Sequence, residues 1–143
     1  MRILGIDLGE KRIGISISDE LGITAQGLPT INSINETEDL KNIKKIIDKY
    51  GVVKIILGLP KNMNGSLGWQ AKKALSFAEK LKSYFQLPVE LEDERLSTSK
   101  AEKFLIETNR SRKKRRKVID KMSAIIILQS FLDRRMINRE IKK

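Results

Sequence analysis

The 143-residue chain contains no cysteine and no histidine, and only 5% of its residues are aromatic. The first absence excludes disulfides, thiol nucleophiles, thiolate zinc sites and iron–sulfur clusters. The second excludes Ser-His-Asp triads, histidine-bound metals and histidine as a general acid or base. Any hydrolytic or transfer chemistry therefore falls to carboxylates, Lys, Tyr or Ser, with a metal held by oxygen ligands as the fitting companion. Scarce aromatics argue against extensive stacking on single-stranded bases. Long apolar runs are lacking as well: the longest, 124–128, is far too short to span a bilayer. The opening Met1-Arg2-Ile3-Leu4-Gly5-Ile6-Asp7 meets an acid too early for a signal peptide. Together these features predict a soluble, cytoplasmic protein without a membrane partner.

Charge is plentiful and unevenly placed. Lys and Arg number 29 against 18 Asp and Glu, a formal net charge of +11. Residues 110–143 hold 13 of the basic and 3 of the acidic residues, whereas 1–109 hold 16 and 15. A nearly neutral body thus precedes a strongly basic final quarter. The length suits one domain, 1–143, and a 40% hydrophobic content suffices for its core.

The spacing of apolar residues predicts the elements. Ile3-Leu4-Gly5-Ile6 reads as a buried strand ending in Asp7, and Ile13, Ile15 and Ile17 alternate with small residues in a second. A third over 23–30 completes an antiparallel meander. Leu40, Ile43, Ile46 and Ile47 fit a helical stripe, and Val52-Val53-Lys54-Ile55-Ile56-Leu57 a buried strand. A helix follows over about 66–84, then a short strand from Pro88 to the acids at 93–94, and helix signals resume at Ser97 and Thr98 with Ala101, Phe104 and Leu105 inward. Residues 109–117 read as a basic loop, and 118–132 as a last, largely buried helix. This order predicts an α/β three-layer fold with a mixed five-stranded sheet flanked by helices, the later strands parallel to the first.

In such sheets the active site lies beyond the carboxyl ends of the strands. Three acids stand at ends of buried elements. Asp7 closes the first strand, Asp93 or Glu94 the last, and Asp120 sits in the first turn of the final helix on the stripe of Ala124, Ile127 and Phe131. Strand alternation puts Glu90, Glu92 and Glu94 on one side and Val89, Leu91 and Asp93 on the other, without choosing between Asp93 and Glu94. Converging carboxylates repel one another unless a cation sits among them. Mg²⁺ or Mn²⁺ suits such oxygen donors and supports phosphoryl transfer without histidine. Just ahead of Asp120, Arg112, Lys113, Lys114, Arg115, Arg116 and Lys117 form an unbroken basic run. Such runs are commonly solvated, but this one leads to a candidate site and would draw phosphate backbone toward it. The 58–65 loop offers backbone amides but lacks the phosphate-loop signature.

Four motifs carry a resemblance. Gly5-Ile6-Asp7-Leu8-Gly9 with Arg12-Ile13-Gly14 comes first, then Gly58-Leu59-Pro60 with Asn62 and Gly65. Asp93-Glu94-Arg95-Leu96-Ser97-Thr98 follows, and then Ile119-Asp120 with Ser123-Ala124 and Ile127-Leu128. In this order they resemble the YqgF family, also called RuvX, pre-16S rRNA nucleases and Holliday junction resolvase-like proteins. The resemblance covers essentially the whole chain, and the motifs are specific only in combination. It implies a ribonuclease-H-like fold related to the RuvC resolvases and a metal-dependent endonuclease that matures the 5′ end of 16S rRNA in ribosome biogenesis. It also implies that Asp7, Glu94 and Asp120 are the catalytic metal ligands, Asp7 bridging, and so favours Glu94 over Asp93. Ser123 stands where RuvC resolvases have a further acid, which leaves one metal or two open.

The expected partner is RNA, pre-16S rRNA free or within a pre-ribosomal particle, held by the cations of 112–117; the chain acts as a monomer or homodimer. Two rivals remain: a Holliday junction resolvase acting on branched DNA, and a non-catalytic RNA- or ribosome-binding module. The Gly5–Gly9 turn also resembles a phosphate motif of actin-like and sugar kinases, whose two large lobes 143 residues cannot supply.

Overall fold

A computed structural model describes residues 1–61, 64–93 and 112–141; within 112–121 and 139–141 only the backbone is described. β1 (Arg2–Leu8), β2 (Arg12–Ser18) and β3 (Ala25–Asn32) form the expected antiparallel meander. After α1 (Glu36–Tyr50) the chain returns as β4 (Val52–Leu59), parallel to β1, and after α2 (Trp69–Phe85) as β5 (Val89–Asp93), parallel to β4. The last element, α3, spans Arg112–Ile141. The five-stranded sheet has the order β3-β2-β1-β4-β5, so the first strand is central.

The two faces of the sheet follow from strand alternation. Leu4, Ile6, Ile13, Ile15, Ile17, Ile55, Leu57 and Val89 point to one side and are covered by α1 through Leu40 and Ile43 and by α2 through Ala71, Ala74, Phe77, Ala78 and Leu81. Ile3 and Ile56 point to the other and meet Ile127, Leu128, Phe131 and Leu132 of α3. The sheet is therefore the middle of three layers. α1 begins at Asn35, whose side chain accepts from the Glu38 amide, and ends at Gly51, whose φ of 64° suits a residue without Cβ.

Several boundaries differ from the periodicity. β3 runs two residues further, to Asn32, and α2 starts at Trp69 rather than near 66, after Gly65 and Gly68. The larger correction concerns 112–117, which is helix and not loop. Lys and Arg are good helix formers, and no Gly or Pro separates them from the apolar stripe. The basic run and the buried helix are one continuous rod. The helix expected from Ser97 and Thr98 lies outside the described residues.

Candidate active site at the carboxyl edge of the sheet

Asp7 is half-buried at the carboxyl end of the central strand, opposite Gly14 in the register. Alternation puts its side chain on the α3 face, with Ile3 and Gly5. Behind it the β1–β2 turn closes through the Gly9 amide, which donates to the Arg12 carbonyl at 3.0 Å. A Cβ on Gly9 would lie 2.5 Å from that same carbonyl oxygen, so the turn has no room for a side chain.

Gly5 does a different job, since it lets α3 rest on β1. A Cβ there would lie 2.9 Å from Leu128 Cβ, 3.2 Å from the Ala124 carbonyl and 2.2 Å from Ser16 Oγ. Ser16 uses that space to donate to the Ala124 carbonyl at 2.7 Å, tying β2 to α3. These contacts orient the helix. Ile3 packs in the cluster of Ile127, Leu128, Phe131 and Leu132, and Gly5 meets Ala124 and Leu128, so α3 runs back along β1 as β1 advances. Two residues beyond Gly5 bring the strand to Asp7, and one turn before Ala124 brings the helix backbone to position 120. Each step is about 6 Å in the same direction.

β5 reaches the same edge beside β4, Gly58 pairing with Glu92 and Leu59 with Asp93. Glu92 is 6% exposed and accepts two bonds from Arg134 of α3, Nη1 to Oε1 at 2.6 Å and Nη2 to Oε2 at 2.5 Å. These bonds hold the Arg134 guanidinium above its usual range. Glu90, on the same face, bonds Lys54, whose ammonium lies 5.0 Å from the Phe131 ring centre. Asp93 points the other way and lies 3.9 Å from Lys61 Nζ.

The sequence-level site thus divides. Asp7 and the backbone at 120 come to one end of the molecule, the Asp120 side chain is not among those described, and Glu94 lies outside the described residues. Arg112, Lys113, Lys114, Arg115, Arg116 and Lys117 occupy the first two turns of α3. Among the described residues no three acids cluster as a metal cage. The Glu92–Arg134 pair escapes sequence reasoning because its partners are 42 positions apart and Glu92 belongs to an acidic stretch that looks like a solvated edge. On the opposite side of the edge, a 480 Å³ groove lies between Leu8, Glu10, Asn35, Lys73, Phe77 and Lys80.

A central strand with an acid near its carboxyl end, a leading antiparallel meander and two parallel strands define the ribonuclease-H-like class. The chain superposes on Thermus thermophilus RuvC, solved with a Holliday junction substrate, with a TM-score of 0.58 at 12% identity, covering 95% of this chain and 96% of that one. Fowlpox virus resolvase, solved with Holliday junction DNA, gives 0.59 at 14% identity over 93% and 97%. Within that class the chain belongs to the RuvX family, whose model, described as a Holliday junction resolvase, matches residues 1–134. It is 59% identical over 135 residues to a Geobacillus kaustophilus protein named "Putative pre-16S rRNA nuclease", covering 93% of this chain and 98% of that one. A Clostridium acetobutylicum protein of the same name is 50% identical over 133 residues, covering 93% and 98%. The family and fold expected from the four motifs are both met.

Proposed function

We propose that this protein is a metal-dependent endonuclease that hydrolyses phosphodiester bonds, with the 5′ region of precursor 16S rRNA as its substrate and the cytoplasm as its workplace. The observation that carries the proposal is Asp7: a half-buried carboxylate closing the central strand, at the end of the molecule where the turn before Ala124 also arrives. Names carried by relatives at 50–59% identity supply the substrate.

The donor set suits the cation. With no His or Cys in the chain, the candidate ligands Asp7, Glu94 and Asp120 offer only hard oxygen atoms, the kind Mg²⁺ and Mn²⁺ prefer. Bound there, such a cation lowers the pKa of water and neutralises charge on the phosphate. The chain's own residues do the rest. The cations of 112–117 attract the nucleic-acid backbone and deliver it along α3 toward Asp120. Gly9 keeps the turn beside Asp7 free of a side chain, and the Glu92–Arg134 pair fastens the end of β5 to α3.

Asp7→Asn keeps the shape of the side chain and removes its charge. We expect at least about 100-fold slower cleavage of precursor 16S rRNA, with an unchanged circular dichroism spectrum and RNA affinity. Wild-type activity in a nuclease-free preparation of the variant would overturn the assignment. Running four-way DNA junctions in the same assay separates resolvase from ribonuclease. No Mg²⁺ or Mn²⁺ binding and no cleavage of either substrate would leave a binding module. Among the described residues no helix is long and apolar enough to cross a membrane.

A further inference from the structure

Ser123 is 1% exposed, and its Oγ finds no hydrogen-bond partner among the described residues. Within a helix a serine ordinarily gives its proton to the carbonyl four residues back, and a buried hydroxyl left without any bond costs stability. Its position explains the exception. Ser123, Ile127 and Phe131 form one row along α3, and the latter two lie in the cluster with Ile3 and Ile56. Because α3 runs back along β1, the step from Ile127 to Ser123 goes toward the edge where Asp7 closes β1. An apolar row thus ends in a single buried hydroxyl, one helical turn of backbone from position 120.

We infer that Ser123 is a positioning residue for the divalent cation, accepting a hydrogen bond from the cation's hydration shell. This rests on the nuclease reading of Asp7, Glu94 and Asp120. A small hard cation keeps several waters when bound by few carboxylates, and those waters need acceptors in fixed places. A serine oxygen supplies one without adding charge to an acidic site. Groups of this kind change metal affinity without touching the ion.

The test uses the full chain as wild type, Ser123→Ala and Asp7→Asn, with Mn²⁺ as probe. Each is titrated with Mn²⁺ by calorimetry and melted in EDTA and in saturating Mn²⁺. Alanine is smaller than serine and favours helix, so the variant folds. In EDTA it is expected to melt at or above the wild-type temperature, because an unsatisfied hydroxyl has been removed. Its Mn²⁺ Kd is expected to rise about 10-fold, and the rise in Tm on adding Mn²⁺ to shrink accordingly. Wild-type Mn²⁺ affinity in Ser123→Ala, with binding lost in Asp7→Asn, would overturn the role of Ser123 and leave the acid site standing. A Ser123→Ala protein melting below wild type in EDTA would make the hydroxyl structural and overturn it equally. Equal Mn²⁺ affinity in all three proteins would defeat the metal-site reading itself.

Discussion

Asp7 and Gly5 stand two positions apart on one face of β1, and each is tuned to a different neighbour. Asp7 stays half-buried at the edge, whereas Gly5 is buried beneath α3, where a methyl group would press on Leu128 Cβ and Ser16 Oγ. Gly5→Ala is therefore expected to destabilise the fold by about 2–3 kcal/mol, the usual effect of overpacking, measured as a lower midpoint in urea. Away from the site, Asp19 accepts from the amides of Thr24 and Ile23 at 3.0 and 2.7 Å, and those bonds hold its carboxyl below the ordinary value of 3.8. A depressed folded-state pKa stabilises above the unfolded value, and the contribution is lost as pH falls below 3.8 through the depressed one. Asp19→Asn should flatten that part of the acid-unfolding curve and leave the neutral-pH curve nearly parallel to wild type.

α3 joins two segments of opposite composition. Its first two turns are cationic, and its middle is the apolar cover of the sheet. Replacing all six residues 112–117 by Gln should reduce the slope of log affinity for single-stranded RNA against log salt by up to about 4, read from binding titrations at several KCl concentrations. An unchanged slope would place the RNA contact elsewhere. Further along, Arg134→Ala leaves the buried Glu92 carboxylate without its two donors. The expected loss is about 2 kcal/mol, below the value for a fully buried pair because the Arg134 side chain is 55% exposed. Denaturant unfolding of the variant measures it. Most of these elements were legible from periodicity alone: the Ile13, Ile15 and Ile17 alternation identifies β2, and Leu40 and Ile43 mark the inward face of α1. The start of α3 was not, because a run of charges carries no apolar period while still favouring helix. The Glu92–Arg134 bond was invisible for a different reason, being set by how two distant elements pack.

At the scale of the whole molecule, six of the eleven net charges lie in 112–117, so the glutamine variant retains +5. Positive charge is thus densest at one end of one helix, and the other 137 residues share the remaining +5. The candidate site was partly legible for the same reason that the fold was: Asp7 and Asp120 each end or begin an apolar stretch, where a charge is conspicuous. Burial without a bond, as at Ser123, emerges only when three layers are assembled.

The Ser16–Ala124 bond has a consequence in time. It joins residues 108 positions apart, and contacts of such separation form late because a long loop must close before they are rewarded. During synthesis all five strands leave the ribosome before α3 does. The strands that carry Ile3 and Ile56 are thus synthesised before the helix that covers them in the folded protein. The basic run and Asp120, the parts of the proposed site that α3 carries, are therefore the last to be added to the nascent chain.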